Sequence, residues 1–351
     1  MIGARCVFRC FRALERFGDK VTGAAGPFFV AFAIALTGTG TIAFFDIIAP
    51  SLNYKFISLP LCTLIAVNLH AHYYYVCIIP PGFVEDSPNE EGQSLLWAKR
   101  KQIPKREGGG GRVLAATRVG AVGARVTNAE VSKCRKCGRL RPERAHHCRI
   151  LYAIFLLRSP FRTLILDIGI NQCVGLHNER HFVLFLIYLT LACFCVSILG
   201  WPFLLESLGI TYSLMWPYHV PEVAFAMIYI LAVVMFFAVG IMGGFHLRSV
   251  SRGETSVEAQ DHETYRTRAK SRGETFVNSY DLGKCKNLEL FFNIGEGGYP
   301  WYTLIIPLRI MPYTDGRYWA RQAGLDRHAG VYEGEELTDE DDDGDDDIGV
   351  E

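Results

Sequence analysis

The chain has 351 residues, of which 50% are hydrophobic, a mean hydropathy of +0.16 and a formal net charge of zero. A soluble chain of this length usually forms two domains, but the apolar residues here are gathered into long runs, which indicates a membrane protein. The neutral charge hides an asymmetry, because twelve of the 36 acids lie in residues 333–351, which contain no Lys or Arg. The rest of the chain is therefore basic, and we expect a bilayer with anionic lipids, and not a nucleic acid, as its partner.

Four apolar stretches are long enough to cross a bilayer, which takes about 20 residues. The second stretch contains Asn68, His70 and His72, and such polar residues in a membrane segment are expected to face protein and not lipid. The pattern predicts transmembrane helices 1–2 within residues 27–79 and helices 3–4 within residues 182–247. The stretches run near Pro27–Ala49, Phe56–Ile79, Phe182–Leu205 and Val223–Phe245.

Basic residues are distributed unevenly between the segments that join these stretches. The N-terminal segment, residues 1–26, and the loop between the second and third stretches are rich in Lys and Arg, whereas Glu206–Glu222 contains none. Because cytoplasmic loops carry the excess of positive charge, we expect both termini and the large loop in the cytosol. Cys6 and Cys10 in the N-terminal segment are either acylated or ordinary thiols.

The parts outside the four stretches differ in composition. Residues 80–130 are polar, include the run Gly108–Gly111 and are predicted to be a linker. Residues 248–332 are predicted to be a cytosolic C-terminal region, and residues 333–351 an acidic disordered tail. The string SRGET occurs at Ser251–Thr255 and again at Ser271–Thr275. Two copies of five residues do not indicate a structural repeat, and we interpret them as coincidence.

Cysteines are concentrated in residues 131–181, and they point to a metal. Cys134 and Cys137 have the spacing that lets two thiolates reach one tetrahedral zinc ion. A lone Cys-x2-Cys pair could equally be redox-active, but this one is followed by the string RPERAHHC, which ends in His147 and Cys148. A second string, NQCVGLHNERHF, contains Cys173. In a reducing cytosolic loop, metal ligation is the better interpretation of these thiols.

Together the two strings resemble the two halves of the zinc-binding Cys-rich domain of the DHHC protein S-acyltransferase (palmitoyltransferase) family. Three further motifs resemble that family in order and placement: Pro80-Pro81-Gly82, the TTxE-like string with Thr255 and Glu258, and the N-x-Y motif that begins at Asn278. Alone each is weak, since a TxxE string could be a helix cap and PPG a turn.

The resemblance implies an α-helical integral membrane protein with four transmembrane helices and a cytosolic Cys-rich zinc-binding domain between helices 2 and 3. It implies transfer of a fatty acyl group from acyl-CoA, such as palmitoyl-CoA, to cytosolic cysteines of membrane-apposed proteins. The route would pass through a thioester on the cysteine of the Asp-His-His-Cys cassette. It also implies an endomembrane location, in the ER or Golgi, and a possible homo- or hetero-oligomer.

The chain departs from the family at residues 149–170, where the cassette should stand. These residues read RILYAIFLLRSPFRTLILDIGI, and the string DHHC is absent from the sequence. By resemblance, Cys134, Cys137 and His147 belong to one structural zinc site, and Cys148 and Cys173 to a second. Because five of the eight ligands remain, two full tetrahedral sites cannot be built.

What the altered segment becomes is left open by the sequence. One rescued zinc site from Cys134, Cys137, Cys148 and Cys173 is an alternative to a disordered, metal-poor loop, which we favour because closing the loop costs entropy. No residue is assigned as nucleophile, and we expect the chain to be inactive. A retained intron or a gene-model error would explain residues 149–170; otherwise the chain is a non-catalytic membrane scaffold or decoy isoform. A metal transporter built on His70 and His72 is a minor alternative.

Overall fold

The structure is a computed structural model, and it describes residues 25–82, 94–100, 124–133, 140–148, 153–156, 170–211, 216–295, 297–332 and 335. Within these ranges, residues 141, 146–148, 153–156, 256 and 257 are described by their main chain. The described residues are mostly helical. They fall into two compact units, and each is treated by itself. Unit 1 comprises Met1–Ile79, Arg162–Cys173 and Leu184–Ile241, and unit 2 comprises Pro80–Phe161, Val174–Val183 and Met242–Glu351.

Four helices are long and apolar enough to cross a membrane, as predicted. They are α1 (Ala25–Ser51), α2 (Lys55–Ile78), α3 (Glu179–Leu199) and α5 (Glu222–Ser251). The final turns of α1 change to π geometry at Phe44–Ile48 and to 3-10 geometry at Ala49–Ser51. In unit 1, Phe44, Ile47 and Ile48 pack with Phe225 of α5 in a buried cluster.

The third and fourth helices have bounds that differ from the predicted ones. The third stretch does not continue to Leu205, because helix α3 ends at Leu199 and a short helix α4 (Trp201–Ser207) follows. Pro202 accounts for this break, since it has no N–H to continue the ladder and, in an unbroken helix, its ring would clash with the carbonyl of Ile198. Helix α5 runs past Phe245 to Ser251, so the predicted C-terminal region begins inside a helix.

The polar residues of the second stretch lie inside the protein, as expected. Asn68 and His72 are fully buried, and His72 stacks on Tyr188 of α3 with ring centroids 5.9 Å apart. His70 is half-buried, and its Nδ1 lies 2.8 Å from the carbonyl oxygen of Ala66 in the same helix. Contacts with neighbouring protein thus satisfy side chains that would be costly to expose to lipid.

Unit 2 contains short strands and three further helical segments. Strand β1 (Ala124–Asn128) pairs antiparallel with β6 (Tyr318–Gln322), β2 (Val131–Lys133) with β3 (Leu140–Pro142), and β4 (Ala145–Cys148) with β5 (Ala153–Leu156). The helical segments are α6 (Ser256–Ser271), α7 (Lys284–Phe291) and a 3-10 turn at Trp301–Leu304.

Two of the predicted irregular regions contain ordered pairing. Residues 80–130 are not a linker throughout: β1 belongs to a sheet, and Trp97 bridges to Arg309. Alternation explains β1, because Val126 lies between polar neighbours and packs against a buried cluster that contains Leu290 and Ala320. At the predicted acidic tail, Glu335 pairs with Arg272 at 2.6 Å. The tail prediction for residues 336–351 lies outside the described residues.

Candidate functional site

An apolar cavity of about 480 Å³ lies within unit 1. All four membrane-length helices contribute to its wall, with side chains such as Phe32 of α1, Leu69 of α2, Leu189 of α3 and Ala232 of α5. Its volume falls in the range of about 300–1,000 Å³ that is typical of small-molecule sites. Because its lining is almost wholly hydrocarbon, it can hold an aliphatic chain but offers little to a polar ligand.

Three cysteines line this cavity, which the sequence analysis did not single out. They are Cys62 on α2 and Cys193 and Cys195 on α3. The reactive form of cysteine is the thiolate, and cysteines in apolar surroundings are typically inert. The apolar surroundings of these three thiols are therefore those of structural cysteines.

The PPG motif and the CVGLHN string form one contact in unit 2. Gly82 has φ +93°, and a Cβ there would lie 2.5 Å from Nδ1 of His177. A Cβ on Gly175 would lie 2.5 Å from the carbonyl oxygen of Pro81. The His177 N–H donates to that same Pro81 oxygen at 3.2 Å. Glycine is thus required at both positions by close approach, and the turn after α2 and the loop before α3 are fixed to each other.

Of the five predicted zinc ligands, Cys173 alone has a described side chain, and it is half-buried. Its neighbour Gln172 donates from Nε2 to the carbonyl oxygen of Ile79 at 3.0 Å and also to that of Val76. Cys134 and Cys137 lie outside the described residues, and His147 and Cys148 are described as main chain of β4. Among the described side chains, no three His, Cys, Asp or Glu residues are grouped to hold a metal ion. The zinc ligand set therefore stays a prediction.

The altered segment provides strand β5. Ala153 lies opposite Cys148 and Leu156 opposite Ala145 in the antiparallel β4–β5 pair. This differs from the expected disordered loop at residues 153–156. The physical reason is the run of apolar residues with β-branched and aromatic members, which favours a strand.

Arg144 of the RPERAHHC string and Glu258 of the TTxE-like string form an ion pair in unit 2, although they are far apart in sequence. Arg144 Nε lies 2.7 Å from Glu258 Oε1, and Nη2 lies 2.8 Å from Oε2. The two side chains are 9% and 13% exposed. A bidentate, nearly buried guanidinium–carboxylate pair fixes both distance and orientation. It therefore positions β4, which follows Arg144 directly, against the start of α6.

Thr255 and Glu258 also form a capping box at the N-terminus of α6. The Glu258 N–H donates to Thr255 Oγ1 at 3.3 Å, and the Thr255 N–H donates to Glu258 Oε2 at 2.8 Å. This pairing satisfies two N–H groups that a helix start leaves without partners. The helix-cap interpretation and the family motif are thus compatible, because one Glu258 carboxylate serves both the cap and Arg144.

Charge and burial shift the pKa of the Glu258 carboxyl in opposite directions. Burial alone would raise the pKa of its carboxyl, but the charge and hydrogen bonds of Arg144 outweigh burial and lower the pKa to about 2. Arg144 also lies over the rings of Tyr280 and Trp319, with its Cζ 4.2 and 4.7 Å from their centroids. Both groups therefore remain charged at neutral pH.

The N-x-Y motif completes this arrangement. Asn278 Nδ2 donates to the carbonyl oxygen of Arg252 at 3.0 Å, just beyond the end of α5, and its Oδ1 accepts the Tyr280 N–H at 3.0 Å. Burial, together with the charge of Glu143, raises the pKa of Tyr280 well above its ordinary value. Its protonated hydroxyl donates to Glu143. Thr255, Glu258 and Asn278, which were predicted as separate motifs, thus lie in one polar cluster.

Glu254 and His262 form a second buried pair that the sequence analysis missed. His262 Nδ1 lies 2.7 Å from Glu254 Oε2, and the His262 and Glu254 side chains are 1% and 4% exposed. The signal in the sequence was weak, because the two residues are eight positions apart and a lone His on a helix has many interpretations. The pair connects the turn after α5 with the second turn of α6.

The described residues form a mostly helical protein with four candidate membrane-spanning helices and an apolar cavity among them. Residues 168–263 match the family described as DHHC palmitoyltransferase. The match starts three residues before Asn171, where the resemblance resumes after the altered segment. It includes Cys173, Thr255 and Glu258. This match and the relatives below support membership of the DHHC palmitoyltransferase family.

Several individual relatives support this assignment. Palmitoyltransferase ZDHHC16 of Mus musculus is 28% identical over 204 residues, which are 54% of this chain and 54% of the relative. Palmitoyltransferase ZDHHC16 of Homo sapiens is 25% identical over 226 residues, with 57% and 58% covered. Putative ZDHHC-type palmitoyltransferase 4 of Dictyostelium discoideum is 25% identical over 312 residues, with 86% and 77% covered. The chain thus spans somewhat over half the length of the ZDHHC16 relatives that it matches.

Proposed function

We propose that this chain has the framework of a protein S-acyltransferase that takes acyl groups from acyl-CoA. The observation that carries this proposal is the apolar cavity of about 480 Å³ between the four membrane-length helices. An acyl chain buried there is withdrawn from water, and burial of each CH₂ group stabilises the complex by about 0.8 kcal/mol. The family assignment supplies the substrate class, and the polar cluster around Glu258 holds the segment that leads to the reaction site.

The chain does not complete the reaction, because its sequence lacks the DHHC cysteine. Acyl transfer of this kind takes two steps: an enzyme thiolate attacks acyl-CoA and releases the CoA thiol, and a substrate thiolate then attacks the acyl-enzyme thioester. No other thiol is proposed as nucleophile. Any bound zinc would be structural, and its ligand set would be incomplete. The ligands would come from Cys134, Cys137, His147, Cys148 and Cys173.

A labelling experiment tests the missing step. Purified full-length protein in detergent, incubated with labelled palmitoyl-CoA, should form no hydroxylamine-sensitive adduct and should contain fewer than two zinc ions per chain. A matched variant, in which residues 149–170 are exchanged for a C-x2-C-x4-DHHC segment of the family, should form the adduct. Stoichiometric labelling of the unaltered chain would refute the proposal.

A second experiment tests the cavity independently of thioester formation. A palmitoyl-CoA analogue with a photoreactive acyl chain should label the helices even though no adduct forms. Ala232→Trp, at a buried position in the cavity wall, should reduce that labelling several-fold. Val234→Trp is the control, because Val234 lies on the same helix but is 57% exposed and outside the wall. Equal labelling in both variants would place the acyl chain elsewhere.

A non-catalytic scaffold or decoy is the second candidate function. It is favoured by the pairing of Ala153–Leu156 with β4, which gives the altered segment a regular structure. Sequencing the transcript across the codons for Cys148–Cys173 distinguishes a real isoform from an annotation error. A message that encodes RILYAIFLLRSPFRTLILDIGI, together with capture of membrane partners without autoacylation, would make the scaffold the leading function.

We place both termini of the protein in the cytosol and the protein in the ER or Golgi membrane. The support is the basic N-terminal segment, the basic loop before α3 and the absence of Lys and Arg from Glu206–Glu222. Its partners would be membrane-apposed proteins with cytosolic cysteines, or another copy or relative of the chain. Protease accessibility of tags at either terminus in sealed microsomes tests the orientation.

A further inference from the structure

Unit 2 exposes large apolar side chains on two segments that lie side by side. Leu95 is 98% exposed and Trp301 67% exposed, and Leu96, Tyr302 and Ile306 are also exposed. These five residues are called the Trp301 surface below. The segments adjoin because the Arg309 N–H donates to the Leu96 oxygen at 2.8 Å and the Ala98 N–H donates to the Arg309 oxygen at 2.9 Å.

The base of the Trp301 surface is packed, so its exposed side chains do not result from a loose segment. Ala98, Tyr299 and Ile310 are buried together beneath it, with Leu308 packed against them. Tyr299 is fully buried, and its hydroxyl accepts the Met311 N–H at 3.2 Å. An exposed group of large apolar residues on a rigid base is typical of an interaction surface.

A contact with the first turn of α3 connects this surface to a membrane helix. Arg180 Nη2 donates to the carbonyl oxygen of Thr303 at 2.7 Å and lies 3.3 Å from Thr303 Oγ1. Arg180 and Thr303 are both buried. Because Arg180 is the second residue of a helix that is long enough to span a bilayer, the turn that contains Trp301 and Tyr302 is attached to the first turn of that helix.

The charged residues within the two segments have one sign. Residues 94–100 and 297–311 include Lys99, Arg100 and Arg309 and contain no Asp or Glu. The Arg309 guanidinium lies over the Trp97 ring, 4.8 Å from its centroid, and Lys99 is exposed. Trp and Tyr favour the membrane–water interface, and nearby Lys and Arg favour anionic lipids.

We propose that the Trp301 surface is a second membrane contact, which inserts into the headgroup region of an anionic bilayer beside the first turn of α3. The described residues of unit 2 would then be held on the bilayer by an interfacial patch as well as by the spanning helices. Such patches bind through buried apolar area together with electrostatic attraction. This inference does not depend on acyl transfer and goes beyond the proposed function.

Photo-crosslinking of the full-length protein in nanodiscs tests the contact. A benzophenone amino acid replaces Trp301, or Ile306 as a second position, in nanodiscs of phosphatidylcholine mixed with phosphatidylserine. The control position is Tyr332, an aromatic residue of the same unit that is 54% exposed. Lipid adducts are expected at 301 and 306 but not at 332. Adducts to protein alone, or equal lipid adducts at 332, would overturn the proposal.

The lipid charge is tested in the same system. Replacing phosphatidylserine by phosphatidylcholine, or introducing Lys99→Glu, should reduce the adduct yield at 301 by up to roughly fivefold for each basic side chain that no longer attracts an anionic headgroup. Lys270→Glu, at an exposed lysine on α6, should leave the yield unchanged. An adduct yield that is insensitive to both changes would overturn the assignment to anionic lipid.

Discussion

The string SRGET occurs in two copies, at Ser251–Thr255 and Ser271–Thr275. Both copies end a helix in the same way. Gly253 has φ +66° and Gly273 has φ +76°. In each copy the glutamate N–H donates to the carbonyl oxygen five positions earlier, Glu254 to Ser249 and Glu274 to Ala269. This is the Schellman arrangement, in which a left-handed glycine closes the helix. The repeated string is therefore a repeated helix stop, which the interpretation as coincidence did not foresee.

The surroundings of the two copies differ completely. Glu254 and Thr255 are buried, whereas Glu274 and Thr275 are exposed. A Cβ on Gly253 would lie 2.5 Å from the Tyr280 carbonyl oxygen, but a Cβ on Gly273 would have no atom within 4 Å. The local string thus sets the turn, and the residues that follow it set its role: Glu258 stands three residues after the first copy, whereas Asn278 stands three residues after the second.

The largest expected effect on stability comes from substitution of Glu258, the residue by which the surroundings of the two copies differ most. Glu258→Ala should destabilise the protein by about 3–5 kcal/mol, because it leaves the Arg144 guanidinium buried without its partner. Thermal unfolding of the purified protein in detergent measures this change. Glu263→Ala is the control, since Glu263 lies on the same helix and its side chain is 75% exposed.

The double variant Arg144→Met with Glu258→Met sharpens this test. If the single variant suffers from an uncompensated charge, replacing both partners by apolar residues should restore most of the lost stability. A Glu258→Ala protein that unfolds at the same temperature as Glu263→Ala would mean that the ion pair contributes little to holding β4 against α6.

The second prediction compares the two glycines. Gly273→Ala should cost about 1–2 kcal/mol, which is the penalty for a side chain in left-handed backbone. Gly253→Ala should cost more, by roughly a further 1–3 kcal/mol, because its Cβ also meets the Tyr280 carbonyl. Unfolding midpoints of the two variants measure the difference. Equal midpoints would show that the backbone near Tyr280 moves aside at no cost.

The sequence was informative where a pattern is local. Membrane-length apolar runs predicted all four long helices, because a bilayer demands about 20 such residues in succession. The end of α3 could have been predicted from Gly200 and Pro202, but hydropathy alone carried the third stretch to Leu205. The family motifs were likewise visible as short strings with fixed order.

Contacts between distant residues could not be predicted in the same way. Arg144 and Glu258 are 114 positions apart, and no periodicity relates them. Strand β1 was predicted as part of a linker, because a single short strand has little signal of its own. Its partner β6 lies near the end of the chain, so no local pattern indicated the pairing. The shared role of Glu258 in cap and ion pair also required the folded chain.

The smallest expected effect on stability comes from the glutamate of the second copy, Glu274, and it is compared with that of its counterpart Glu254. Glu254→Gln removes the charge from a buried pair with His262, so it should destabilise the protein by about 1–3 kcal/mol. Glu274→Gln changes an exposed residue that accepts a hydrogen bond from the Tyr332 hydroxyl at 2.7 Å, and Gln can still accept that bond. It also removes the charge from a partly exposed pair with Arg272 at 3.4 Å, but such pairs contribute little, so the change should stay within about 0.5 kcal/mol. Unfolding of both variants under one condition gives the comparison. If the two changes were equal, burial of the first copy would have no energetic consequence at this position, and the difference between the copies would rest on Glu258 and Gly253 alone.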